Sequence, residues 1–187
     1  MRSKRGPYRV RRHEVIQPPD KSYRLIPLTQ GQNAIVDAED FEWLSHWNWC
    51  AGWDGASKTF YAQRGIRKKG KTKIIKMHRE ILQCRHGEFC DHANHNGLDN
   101  RKANLRKCTN AENARNARPK KSNRTGFKGV LIAARCKFRK YTADITFERQ
   151  RHLLGYFRSA EEAAHAYDEA AKKFHGRFAF LNFPNKS

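Results

Sequence analysis

Asp91-His92-Ala93-Asn94-His95-Asn96-Gly97-Leu98-Asp99-Asn100-Arg101-Lys102-Ala103-Asn104-Leu105-Arg106, followed closely by Thr109-Asn110-Ala111-Glu112-Asn113, is the stretch on which the reading of this chain turns. It gathers carboxylates, imidazoles and carboxamides at a density that a hydrophobic core does not require. The Asp91-His92 dipeptide sets a hard oxygen donor beside a group that exchanges a proton near neutral pH. Metal-assisted hydrolysis of a phosphodiester uses such a pair, an oxygen site for the cation and a base for the attacking water. The plainer reading is that Asp-His dipeptides and Asn-rich loops are usually exposed turns.

The flanking residues supply a local geometry. Phe89-Cys90-Asp91-His92 reads as the end of a strand, and Asn94 to Asn100, with Gly97 inside, is turn chemistry. Asn104-Leu105-Arg106-Lys107 reads as a short returning strand. Thr109 with Glu112 three residues on is a capping box, so a helix starts there and carries Asn113 in its first turns. A hairpin followed by a helix brings Asp91, His92 and Asn113 around one small cleft.

Asp-His, a Gly/Asn loop, Leu98-Asp99-Asn100-Arg101, Asn104-Leu105-Arg106 and a capped helix with Asn113 together resemble the HNH nucleases of the ββα-metal fold, in the branch common among phage and intron-borne homing endonucleases. The resemblance implies a site-specific DNA endonuclease with one divalent metal per active site. Asp91 and Asn113 would hold the metal and His92 would be the general base. Asn104 would brace the loop and orient His92. Asn113 stands where other members have His, which favours a hard cation, magnesium or manganese. His95 and Asn96 are read as loop residues near DNA, and His78 as a packed structural histidine. The alternative, from a different class, is a DNA-binding transcription regulator whose HNH module is only a scaffold.

Composition agrees with a nucleic-acid partner. The 187 residues carry 39 Lys and Arg against 18 Asp and Glu, a formal net charge of +21. The excess is +14 over residues 1–121 and +7 over 122–187, so both halves are expected to meet a polyanion. No long apolar run marks a membrane span, and no aromatic RNA-stacking motif stands out. Five cysteines, an odd number, with no apolar segment behind the basic N-terminus point to a reducing, cytoplasmic setting. Their spacing matches no Cys-x-x-Cys zinc pair, so no structural zinc is expected. Double-stranded DNA is the expected partner, bound by a monomer or homodimer.

Outward from the central stretch, residues 1–20 read as a basic arm. Residues 21–118 read as the nuclease domain, with its HNH core about 77–118 behind a small β-rich module. All four tryptophans, Trp43, Trp47, Trp49 and Trp53, read as core and hairpin packing, with base stacking second. Residues 60–64 and 73–77 alternate like a hairpin turning at Lys68-Lys69-Gly70-Lys71, a basic tip. Pro119 should stop the Asn113 helix. Residues 119–125 read as a basic linker along the DNA backbone, with Arg115, Arg118, Lys120 and Lys121 as contacts.

The last third, 126–184, reads as a three-stranded antiparallel sheet packed on one helix, so the whole chain is classed α+β. Ser159 and Glu162 form a second capping box, and Ala163, Ala164, Tyr167, Ala170, Ala171 and Phe174 make an apolar stripe before Gly176. Lys128-Gly129-Val130, Tyr141-Thr142-Ala143-Asp144-Ile145, Leu154-Gly155-Tyr156-Phe157, Ala163 to Ala171 and Leu181-Asn182-Phe183-Pro184 resemble the ethylene-response-factor (APETALA-type) DNA-binding domain. That family places the outer face of its sheet in the major groove. Here its tryptophans are replaced by Tyr141 and Leu153, and the Arg after Gly-Val by Leu131. The remaining candidate contacts are Arg135, Lys137, Arg139, Arg149 and Arg151, each able to pair with guanine or to sit on a phosphate.

Overall fold

A computed structural model of the chain describes residues 12–68, 70–134, 138 and 140–184. Small antiparallel sheets and short helices follow one another in an α+β arrangement. The chain divides into two compact units, Met1–Cys108 and Thr109–Ser187. Among the described residues, no helix is long and apolar enough to cross a membrane.

In the first unit, β1 (Tyr23–Pro27) pairs with β2 (Asn33–Asp37), and the period-2 pattern buries Ile26, Ala34 and Val36. α1 (Ala38–Ser45) follows directly and buries Leu44. A meander of β3 (Cys50–Asp54), β4 (Thr59–Lys68) and β5 (Lys71–Lys76) comes next, then α2 (Met77–Ile81). The unit ends in a hairpin of β6 (Phe89–His92) and β7 (Leu105–Cys108). Leu28, Val36, Leu44, Trp49 and Met77 form its core. Of the four tryptophans only Trp49 is a core residue, its indole N–H donating to the Leu44 carbonyl at 2.8 Å. Trp43, Trp47 and Trp53 are exposed, which corrects the expectation of core packing for them. Trp53 stays in the hairpin, edge-on to Phe60, and Trp47 lies under the Arg64 guanidinium at 4.0 Å. Residues 1–11 of the expected basic arm lie outside the described residues. Arg12 donates to the Trp49 carbonyl, and Gln17 exchanges two hydrogen bonds with the Leu25 backbone, so this part of the arm lies along the unit.

The second unit starts with α3 (Asn110–Asn116), entered through the Thr109–Glu112 capping box and already finished before Pro119. Then come β8 (Val130–Ile132), β9 (Tyr141–Phe147), β10 (Gln150–Phe157) and α4 (Ala160–His175). The sheet order is β8-β9-β10, antiparallel throughout. α4 covers one face of the sheet, with Ala163, Ala164, Tyr167 and Ala171 packed with Val130, Ala143 and Ile145. Ser159 caps α4 by accepting from the Glu162 amide, and Gly176 ends it with a φ of 52°.

The two compact units divide at Cys108/Thr109, which puts α3 with the second. The Lys128 ammonium accounts for this. It donates to the carbonyls of Ala114, Arg115 and Ala117 at the end of α3, where the Ala114 carbonyl also accepts from the Ala117 amide. Burial pulls its pKa down to about 8. The expected linker is itself folded at its end, where Asn123 Oδ1 accepts from Thr125 and Gly126 and its amide donates to the Phe127 carbonyl.

Gly129 shows how closely α4 approaches the sheet. Its φ is +74°, and a β-carbon there would overlap the ring of Tyr167. Gly129→Ala should destabilise the second unit by more than about 2 kcal/mol. Hydrogen exchange of the β9 amides is the measurement, and protection should drop roughly 30-fold or more if the helix is forced off the sheet.

Candidate functional site

The Asn-rich loop between β6 and β7 is pinned on two sides. On one, Ile35 donates to the Leu98 carbonyl at 2.8 Å and Asn100 donates to the Ile35 carbonyl at 2.7 Å, a parallel bridge to β2. On the other, Gly97 donates to Thr59 Oγ1 at 3.0 Å, and a β-carbon at Gly97 would collide with the Phe60 carbonyl and the Tyr61 ring. Asp99, only 2% exposed, is the internal anchor. It accepts two hydrogen bonds from the Arg101 guanidinium and one from Asn94 Nδ2. These partners hold its carboxyl below the usual carboxylate range against the opposing effect of burial.

Asn104 is buried at the end of a 3-10 turn (Lys102–Asn104). Its Oδ1 accepts from the Asn94 amide at 2.9 Å and its Nδ2 donates to the Asp99 carbonyl at 2.7 Å, closing the loop. Asn100, fully buried in the same loop, donates its Nδ2 to the Leu98 carbonyl at 3.0 Å. His92, on β6, is 6% exposed and packs edge-on to His78 with ring centroids 4.7 Å apart, while Tyr61 lies 5.5 Å from each. Burial drives the pKa of His78 down to about 2 and that of His92 to about 4, so both imidazoles are neutral at pH 7.

Asp91 is the other buried member of β6. Its Oδ1 accepts from Arg106 Nε at 3.0 Å and its Oδ2 from Arg106 Nη2 at 2.7 Å. The pair sits directly across the β6–β7 ladder, Asp91 opposite Arg106. Both carboxylate oxygens are thus engaged by a guanidinium. Asn113, the other expected metal ligand, is half-buried on α3 in the second unit. Among the described residues, no group of three or more His, Cys, Asp and Glu is placed to hold a metal ion. Sequence reading missed Arg106, Asp99 and Asn100 as structural partners. Arg106 carried no signal of its own, because the register that sets it across from Asp91 closes around a long Asn-rich loop.

The second unit presents a different surface. α4 covers the face carrying Ala143 and Ile145, so alternation turns Thr142, Asp144 and Thr146 outward. The register sets Leu131 and Tyr156 on either side of Thr142, Leu153 beside Asp144 and Arg151 beside Thr146. Leu131, Leu153 and Tyr156 are each close to half exposed, a concentration of apolar surface for which the fold has no internal use. Arg151 reaches over to Asp144 at 2.7 Å and remains 62% exposed. Glu148 and Arg149 take φ of 50° and 64° in the two-residue turn after β9, so Arg149 stands at an exposed hairpin tip. Arg115 is half-buried, and Arg118, Lys120 and Lys121 are exposed. Arg135, Lys137 and Arg139 lie outside the described residues.

Comparison with curated proteins gives two relatives. The chain is 43% identical over 75 residues to dehydration-responsive element-binding protein 2E of Oryza sativa subsp. japonica, covering 35% of this chain and 24% of that protein. It is 45% identical over 67 residues to dehydration-responsive element-binding protein 2A of Arabidopsis thaliana, covering 30% of this chain and 20% of that one. The chain therefore spans about a quarter or less of either relative's length. No protein-family model matches the chain, and no solved structure matches it. These relatives support an ethylene-response-factor-type DNA-binding domain. They overturn the expectation that the protein is a homing-type endonuclease, because the proteins it resembles are named for binding an element, and nothing matched supports an HNH module.

Two predictions test this geometry. Removing Arg106 takes the guanidinium away from a buried carboxylate, so Arg106→Ala should cost the first unit about 3 kcal/mol or more in urea unfolding followed by tryptophan fluorescence. The double change Asp91→Asn with Arg106→Met should recover most of the loss. The neutral histidines add a pH dependence. Their folded pKa values lie below the unfolded 6.5, so their contribution is complete above about pH 6.5 and is lost on acidification. Between pH 7.5 and 5 the first unit should lose about 2 kcal/mol per histidine, and His78→Phe should flatten that fall.

Proposed function

We propose that this protein is a DNA-binding regulator whose second unit docks the uncovered face of the β8-β9-β10 sheet on duplex DNA. The observation that carries the reading is a sheet with one face sealed by α4 and the other left with Arg151, Tyr156, Leu131 and Leu153 exposed, in a chain similar to element-binding proteins. A three-strand surface of this kind is narrow enough to approach the floor of the major groove, and its chemistry suits base edges. Arg151 supplies a planar fork for guanine, held in direction by Asp144. Leu131 and Leu153 suit the thymine methyl group. Arg149, at the hairpin tip, lies where a phosphate contact belongs, and the net charge of +21 supplies the nonspecific attraction. The first unit serves in this reading as a rigid basic body on the same chain.

The test is selection of bound duplexes from a randomised pool by the full chain, followed by affinity measurements on the selected site. Arg151→Ala should weaken binding to that site by about 5- to 150-fold and relax preference at one base pair, while the salt dependence changes by about one phosphate contact or less. A nicking assay on supercoiled plasmid with magnesium runs beside it. The regulator reading expects binding without strand cleavage, and cleavage that disappears in His92→Ala would overturn it.

A further inference from the structure

The first unit contains a surface that its own fold does not explain. β4 and β5 leave the core after the Gln63–Lys76 and Arg64–Ile75 pairs and continue as a two-stranded ribbon to Lys68 opposite Lys71. Residues 65–68 and 70–74 are all exposed, so both faces of this ribbon meet solvent. Residues 59–76 hold seven Lys and Arg and no Asp or Glu. At the root, Arg64 pairs with Glu80 and Lys76 with Asp54. Among the described residues, no ion pair involves Arg67, Lys68, Lys71 or Lys73.

We propose that the β4–β5 ribbon is a second duplex-DNA contact, entering a groove with its basic tip. The inference rests on the reading that the chain binds duplex DNA. Four residues of free strand extend about 13 Å at roughly 3.3 Å each. The major groove is about 12 Å wide and about 8.5 Å deep and admits a two-stranded ribbon. Alternation puts Ile66, Lys68, Lys71 and Lys73 on one face and Arg67, Thr72 and Ile74 on the other. A groove presents phosphates on both of its walls, and a ribbon with cations on both faces matches that. A flat anionic surface such as a bilayer would engage one face only. The apolar Ile66 and Ile74 have thymine methyl groups as partners within a groove. Because both units are on one chain, each DNA contact raises the effective concentration of the other.

The experiment compares three full-length proteins: wild type, Lys68→Gln/Lys71→Gln/Lys73→Gln, and a charge-matched control, Lys21→Gln/Lys172→Gln/Lys173→Gln, altered at exposed sites elsewhere. Duplex affinity is measured across a salt series. The ribbon variant should lose about 2–3 from the magnitude of the log K against log salt slope and roughly tenfold or more in affinity near physiological salt. The control should lose less than about 1. Lys68→Arg/Lys71→Arg/Lys73→Arg should restore the wild-type slope, which separates lost charge from lost fold. If wild type binds duplex and the ribbon variant matches the control, the ribbon proposal is overturned and the DNA-binding reading stands. If wild type binds no duplex, both fail. Loss of binding to phosphatidylserine vesicles with an unchanged DNA slope would assign the ribbon to membranes and overturn the proposal.

Discussion

Four alanines set the separation between α4 and its sheet. Ala143 on β9 and Ala163, Ala164 and Ala171 on α4 are fully buried, and with so little side chain between them the helix lies close to the strands. Gly129 belongs to the same contact, since Tyr167 occupies the space a side chain would need. Everything the second unit offers to a partner follows from that close contact. One face of the sheet is sealed by α4, and Leu131, Leu153, Tyr156 and Arg151 lie on the other.

A second constraint holds the chain around that sheet. The buried Asp168 carboxylate accepts from the Asn182 and Phe183 amides and from Asn182 Nδ2, while Asn182 Oδ1 accepts from the Lys128 amide. Lys128 in turn closes the end of α3 with its ammonium. One polar chain thus ties the last residues, the first strand and a helix that belongs by sequence to the preceding motif. In a low-dielectric setting such a network is strong when each member is satisfied, and it fixes a single arrangement.

The first unit shows how the same residues can carry two meanings. Asp91, His92 and Asn104 have the types and spacing of a hydrolytic site. In the folded hairpin Asp91 is engaged by Arg106 across the ladder, Asn104 closes a turn, and His92 is neutral beside His78. A hairpin register of one residue decides whether a carboxylate meets solvent or a guanidinium. The spacing of Asp91 and Arg106 along the chain, with a long Asn-rich loop between them, does not state that register.

The sequence by itself determined the elements whose signals are local. The Thr109–Glu112 capping box, the Ser159 cap, the Gly176 stop, the alanine stripe and the alternation in β4 and β5 were all readable, because each depends on neighbours within a few residues. The charge and the ethylene-response-factor-type pattern pointed to DNA for the same reason. Only the tertiary structure decided that three tryptophans lie outside the core, that α3 belongs with the second unit and that Asp91 is paired. Each of these depends on a partner distant in sequence or brought near by a turn: Arg64 for Trp47, Lys128 for α3 and Arg106 for Asp91. Hydrophobic and polar patterning say which side of an element is buried, but only the fold chooses what it is buried against.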